Sequence, residues 1–375
     1  MSLRTSVLSL TTAAVVATGA FAAPVATAAD FPSAGSVPVA ELDVNHPDGA
    51  LAYVFAEPVM QSEIDVVTRQ VRELRAKAWD ANLPIRTSHD EEYRTFATRD
   101  AAQLKGFSTR EDYVNGISWN RGIEHAALQR AAEENFDFNH DRLMGVESWT
   151  VREAKWNGEN LVTADMSGAV GSWAEEWDNV LSGSGETGHL LNILDPENKY
   201  FAQAQVGRIV AGLYVKEPVL EEPERLDSVR HAFPIAVPES AVRNAELVSS
   251  GGTSVGSTGS VGLSTEGFWG AKLGVPVASP SSSDPEVLEV NEDGTYEAKS
   301  EGTATVTFTT YELVNGQPQV SDNHVTKTVK VTKKSVGGDL SSGGMNAGTI
   351  VAIISGVLAL IGVAAQVARQ LGILR

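Results

Sequence analysis

Cysteine is missing from the chain altogether, which excludes a disulfide framework, thiolate zinc sites, a cysteine nucleophile and a lipoprotein anchor. Positive charge is scarce: 29 Lys and Arg stand against 48 Asp and Glu, a formal charge of -19. A nucleic-acid binder needs phosphate-neutralising cations, and no basic patch hides behind this average, so nucleic acid is not an expected partner. No P-loop or dinucleotide fingerprint stands in a strand-turn-helix context. The 375 residues exceed what one hydrophobic core organises, and two globular domains plus extras are expected at ~100–200 residues each.

The two ends suggest a location. Arg4 is followed by an uncharged apolar and small-residue run closing in Ala26-Thr27-Ala28-Ala29, the pattern of an export signal over residues 1–29; an uncleaved N-terminal anchor is the alternative. Ala347 to Ala368 is uncharged and apolar on every face, with Arg369 and Arg375 behind it. At ~1.5 Å per residue it spans a ~30 Å hydrocarbon core. The positive-inside rule then puts a tail at 369–375 in the cytoplasm and residues 30–345 outside. The chain reads as a cell-surface protein held in the membrane by one C-terminal helix.

Within the exported body, Ile64, Val67, Val71, Leu74 and Ala78 recur at helical spacing, with Glu73 and Lys77 as an i,i+4 pair. They predict an amphipathic helix of about twenty residues in an N-terminal helical extension at 41–88, packed on its own domain or on a coiled-coil partner. Ser88-His89-Asp90-Glu91 looks like a capping box opening a second helix through about Leu104, and Ser108-Thr109-Arg110-Glu111 opens a third. From Arg121 to Asn135, Ile123, Ala126, Ala127, Arg130 and Ala131 share one small-residue face. Chemistry-bearing residues follow: His140 just past that helix, Glu159 in Gly158-Glu159-Asn160-Leu161, Glu176 beside the Trp173 and Trp177 stripe, and His189 in Thr187-Gly188-His189. Ala204 to Val215 reads as a closing strand.

In this order the segments from Ile117 to Gly207 resemble the CAP superfamily (cysteine-rich secretory, antigen 5 and pathogenesis-related proteins; SCP-like), which has many secreted bacterial members. Ile117-Ser118-Trp119-Asn120, Asn139-His140, Gly158-Glu159-Asn160-Leu161, Val170-x-x-Trp173-x-x-Glu176 and Thr187-Gly188-His189 carry the likeness. The resemblance implies a CAP domain at 89–217 with an α-β-α sandwich and a cleft tetrad of His140, Glu159, Glu176 and His189. In some relatives the two His, here His140 and His189, bind a divalent metal usually taken as zinc. The chain departs from the pattern in lacking disulfides, in Ala174 after the helix Trp, and in the insertion at 41–88, whose helix can cover the cleft.

An open zinc would lower its water's pKa to ~7, with Glu159 or Glu176 as candidate base. His140 and His189 do not form a short ligand pair such as H-E-x-x-H, however. Two His–Glu hydrogen-bonded pairs pinning the cleft are an equally physical use of the tetrad. The resemblance implies binding roles and no general enzymatic activity. Gly252-Thr253-Ser254-Val255-Gly256 matches a serine-hydrolase string but lacks the strand-to-helix elbow that exposes a nucleophile.

From Pro218 the composition turns to Pro and acid, then Ser and Gly, and reads as a linker over 218–264. Short alternating runs follow at Val287–Val290, Tyr296 and Thr303–Thr310, which predict strands joined by turns. Ser282-Ser283-Asp284-Pro285-Glu286-Val287-Leu288-Glu289-Val290 and Glu301-Gly302-Thr303-Ala304-Thr305-Val306 resemble the group 2 bacterial Ig-like domain, placed at 265–334. That resemblance implies an all-β spacer or adhesion module. A Gly/Ser tether at 335–346 leads to the transmembrane helix at 347–368. The fold class expected is α+β: a CAP sandwich, an Ig-like sandwich and a membrane helix. The function expected is a non-enzymatic module binding a protein, lipid or cell-envelope ligand, its tetrad holding a divalent metal such as zinc. The alternatives are a metal-assisted hydrolase of peptide or cell-wall material and an adhesin acting through the Ig-like module.

Overall fold

The computed structural model describes residues 47–89, 92–145, 150–151, 154–219, 225–226 and 230–333. The chain enters through β1 (Gly49–Ala56) and α1 (Gln61–Ala81), then the paired strands β2 (Pro84–His89) and β3 (Glu92–Ala97). Next come α2 (Thr98–Leu104), α3 (Arg110–Asn115), the short β4 (Ser118–Trp119) and α4 (Arg121–Glu133). After β5 (Thr150–Val151), β6 (Ala154–Lys155) and β7 (Gly158–Thr163) lie α5 (Met166–Ala174), α6 (Trp177–Ser182) and α7 (Gly188–Leu194). Strands β8 (Tyr200–Val206), β9 (Ile209–Val215) and β10 (His231–Val237) precede α8 (Glu239–Arg243). The remainder is all β: β11 (Glu246–Ser250), β12 (Thr258–Glu266), β13 (Lys272–Val275), β14 (Val277–Ser282), β15 (Leu288–Val290), β16 (Thr295–Ala298), β17 (Gly302–Val314) and β18 (Gln317–Val331).

Helix α1 forms where its period requires: Ile64, Val67, Val71, Leu74 and Ala78 are all buried, each large aliphatic among them contributing ~1.5–3 kcal/mol on burial. Its C-terminus is closed by Asn82 in the left-handed region (φ 48°), a conformation asparagine tolerates better than most residues. The apolar stripe packs on α3, α5 and α7. Glu73 pairs with Arg69, and Lys77 lies over the Trp177 ring, so the expected Glu73–Lys77 pair does not form.

Four strands in the order β4-β8-β9-β7 make one sheet. Helix α4 covers one face and α5 and α7 the other. The outer side of α4 meets β10, which belongs to a second, ten-stranded sheet. Caught between two sheets, α4 is buried from Ile123 through Glu133 on every side. A helix in that position must satisfy its polar side chains internally.

The ten-stranded sheet runs β14-β17-β1-β13-β12-β16-β15, with β10 on β1, β11 on β12 and β18 on β17. It curls until its two end strands, β14 and β15, lie beside each other, a nearly closed barrel-like shape. Strand β1 is buried on both faces. Ala50, Ala52, Val54 and Ala56 enter the main core, while Leu51 and Tyr53 pack with Ala232, Ala236, Tyr311 and Leu313 on the other side.

This arrangement overturns the expected fold class. The chain is mostly β, and the strands outside the 89–217 segment do not form an independent Ig-like sandwich following a CAP sandwich. Ala50 pairs with both Val237 and Glu312, and Tyr53 with Gly274. The 41–88 extension and the 265–334 module therefore share one sheet. Residues expected to be linker supply β10, α8, β11 and most of β12. The helix expected from Ser88 to Leu104 is instead the β2–β3 pair followed by the short α2. Among the described residues no helix is long and apolar enough to cross a membrane. The signal at 1–29, the tether at 335–346, the helix at 347–368 and the tail at 369–375 lie outside the described residues.

Candidate functional site: two histidine-carboxylate pairs at an edge strand

Edge strand β7 organises the site. Glu159 and Asn160 are consecutive, so their side chains leave on opposite faces. Glu159 meets Arg130 of α4, and the Asn160 amide donates to the His189 carbonyl at the start of α7 (2.9 Å). Asn192 of α7 secures the strand, donating to Asn160 Oδ1 (2.8 Å) and the Glu159 carbonyl (3.3 Å). Gly158 makes that approach possible, since a Cβ there would collide with the Asn192 amide.

On the α4 side, Arg130 is fully buried. Its Nε and Nη2 donate to the two oxygens of Glu159 (2.8 and 3.1 Å), its Nη1 to Glu133 (2.9 Å), and Nη2 also to the Asn139 carbonyl (3.1 Å). Glu133 accepts further from Arg142 Nη2 and Nε (2.6 and 3.1 Å). Glu159 completes the network by pairing with His140 Nδ1 at 2.9 Å. The His140 side chain is 51% exposed and its partner 1%, so the imidazole is the outer end of a buried ionic chain.

Burial opposes ionisation of Glu159, yet the His140 and Arg130 hydrogen bonds hold its carboxyl below the usual carboxylate range. The same competition is won by Arg142 and Arg130 at Glu133. Glu134 behaves differently although its Oε1 lies 2.5 Å from Arg130. Burial pushes its carboxyl up to about 9, and the Arg130 charge offsets only part of that. Two guanidiniums, Arg130 and Arg142, thus face the Glu133 and Glu159 carboxylates, whose charges they hold in place, with Glu134 beside Arg130 as a third, less readily ionised acid.

On the α7 side, Glu176 sits between α5 and α6. It receives His189 Nδ1 on Oε1 (2.7 Å) and the Leu190 backbone N–H on Oε2 (2.8 Å). A third group joins them: Glu176, Glu186 and His189 each offer a ligand atom within 4.8 Å of the others. Glu186 is held by a tight loop, its carbonyl accepting from Asn179 Nδ2 (2.8 Å). That loop requires glycine at 185, where φ is 81° and a Cβ would lie 2.9 Å from Asn179.

The four expected residues therefore stand as two hydrogen-bonded pairs, His140–Glu159 and Glu176–His189. The expected metal pair of His140 and His189 is not what converges. Among the described residues His140 belongs to no group of three close donors, whereas His189 does, with Glu176 and Glu186. The one such group among the described residues is thus two carboxylates and one imidazole. The sequence reading missed Glu186, although Glu186-Thr187-Gly188-His189 is an i,i+3 acid–His spacing. It also placed Arg130 on the packing face of α4 without a role, and left Glu133 and Arg142 out.

Both candidate bases have both carboxylate oxygens engaged, Glu159 by Arg130 and His140, Glu176 by His189 and Leu190. Ser254 of the hydrolase-like string lies in a turn with Ser257 Oγ 3.5 Å away. No family model, no curated protein and no solved structure matches the chain.

Proposed function

We propose that the chain is a non-enzymatic binding module of the cell envelope in which one divalent cation is held by Glu176, Glu186 and His189, while His140–Glu159–Arg130 serves as structural bracing. The observation that carries the cation is the convergence of three donor atoms, from buried Glu176, half-buried His189 and exposed Glu186, within 4.8 Å of one another. Carboxylate and imidazole donors together suit zinc or manganese. A carboxylate has lone pairs beyond the bonds Glu176 already accepts. The engaged oxygens of Glu159 and its lowered pKa make it a poor general base, which supports binding over hydrolysis. The likeness of the tetrad-bearing segments to CAP proteins, and the export and anchor patterns at the two ends, support an envelope setting.

The test is calorimetric titration of the full chain with Zn²⁺ and, separately, Mn²⁺. Glu186→Gln and His189→Ala should each weaken binding at least tenfold, and His140→Ala should leave it within twofold. Absence of binding by the parent chain, or equal losses for His140→Ala and His189→Ala, overturns the cation site. Metal-dependent turnover of peptide or cell-wall substrates would overturn the non-enzymatic reading.

A further inference from the structure

The hairpin between β12 and β13 carries Glu266-Gly267-Phe268-Trp269-Gly270-Ala271, and its tip docks on the end of α4. The Phe268 N–H donates to the Asn135 carbonyl (2.9 Å), Gly267 N–H to Ala271 (2.8 Å) and Ala271 N–H to Phe268 (3.0 Å). Three rings then stack in series. Phe138 and Phe268 lie 4.8 Å apart at 15°, and Phe268 and Trp269 lie 5.3 Å apart at 10°. The series ends in an indole that is 68% exposed. Trp269 has a φ of 51°, a left-handed conformation that is costly for a bulky side chain and that persists only where its surroundings enforce it.

We infer that the Phe138–Phe268–Trp269 stack is a carbohydrate-binding platform that receives the apolar face of a pyranose ring on Trp269. The shape of the surface selects this ligand. Quaternary ammonium groups are recognised by rings that surround the cation, and here the rings are near-parallel and stacked, not arranged around a cavity. An aliphatic side chain or acyl tail needs a concave pocket to lose its water, and a single planar ring offers none. The flat C–H face of a sugar matches a planar π-surface, with the positive C–H edges against the negative ring face, while its hydroxyls stay in water. Charge removes two other candidates. At -19 the chain repels phosphate polymers and anionic lipid surfaces, and Glu266 stands at the base of the hairpin, paired with Lys272 (2.9 Å). The platform begins at Phe138, two residues before His140, but shares no residue with the cation site, so it stands or falls independently of that reading.

The experiment titrates the full chain with β-1,4-linked N-acetylglucosamine tetrasaccharide, with choline and with neutral phosphatidylcholine vesicles, reading heat and tryptophan emission, on the parent and on Trp269→Ala and Trp269→Phe. The expected result is saccharide binding that weakens at least tenfold in Trp269→Ala and is largely kept in Trp269→Phe, with circular dichroism unchanged. Glu186→Gln should bind the saccharide as the parent does, even where it has lost the cation. Saccharide binding that is undetectable in the parent, or equal in parent and Trp269→Ala, overturns the platform. So does Trp269-dependent binding of choline or vesicles without saccharide binding.

Discussion

Replacing Arg130 by Met tests the bracing assigned to the first pair. The substitution keeps much of the buried volume but removes the charge. Glu159 would be left with His140 alone at a 1% exposed position, whereas Glu133 would retain both bonds from Arg142. Breaking one side of a buried ion pair costs ~3–5 kcal/mol. Because Arg142 cushions Glu133, the lower part of that range, ~3–4 kcal/mol, is expected. At ~2–4 °C per kcal/mol for a domain of this size class, the melting temperature should fall by ~10 °C. The sign of the pH dependence follows from Glu159. Without Arg130 its carboxyl rises, and protonating it removes the uncompensated charge, so the penalty should shrink between pH 8 and pH 5. Urea unfolding of the parent, Arg130→Met, Glu159→Gln and the double variant gives the coupling directly. The double variant should be more stable than Arg130→Met alone. A cost under ~1 kcal/mol, or a coupling indistinguishable from zero, would refute the bracing role.

Glu197 ties β2 and α2 to the end of β9, contacting Ser88 and pairing with Lys105 (2.5 Å) and Lys216 (2.7 Å). Burial raises its pKa, but these partners outweigh it and hold the carboxyl down to about 2. At ~1.4 kcal/mol per pH unit the ceiling is ~3 kcal/mol, and partial exposure of Lys216 reduces it to ~1–2 kcal/mol. Because the folded pKa is depressed, this stability is present above about pH 4.5 and is lost as pH falls toward 2. Glu197→Gln should lower the urea midpoint at pH 7 and match the parent near pH 2, and a pH-independent gap would sink the assignment. Residues 265–334 expressed alone should stay unfolded, since β13 and β17 leave partner strands β1 and β12 behind. A dispersed amide spectrum with a cooperative melt from that fragment would contradict the sheet topology.

What the sequence made legible was local. The 3-4 spacing of α1 marks its buried stripe because one helix face meets the core, and the Thr/apolar alternation at 303–310 marks β17 because one face of that strand is buried. Where both faces are buried, the signal vanishes. His231 to Val237 is buried throughout, so it shows no alternation, and it carries a proline, Pro234, in its middle. The proline is tolerated because, among the described residues, β10 pairs only with β1 and is an edge strand. Pairing partners are invisible to alternation, which is why the sheet joining β1 to β17 was missed. Arg75 shows the same limit at a single residue. A cation beside the apolar stripe of α1, it is fully buried, donating to the carbonyls of Ile193, Tyr113, Asp195 and Asn198. Its fork replaces water for the loop after α7. At the site, residue types were readable, but the way β7 divides Glu159 from Asn160 was not.

The position of β1 has a consequence for the order of events along the chain. The strand leaves the ribosome first among the described elements, yet its partners are His231 to Val237, Gly274, Glu312 and Leu313. Contacts that distant are slow to form, since each must close a long loop before any burial rewards it. Until the last of those strands emerges, Leu51 through Ala56 is an apolar edge in search of hydrogen bonds, the kind of segment that aggregates or is captured by a chaperone. Completion of the ten-stranded sheet thus waits for β17 and β18. The smaller sheet of β4, β7, β8 and β9 lies wholly within 118–215 and needs none of those partners, so it can form while the larger one waits.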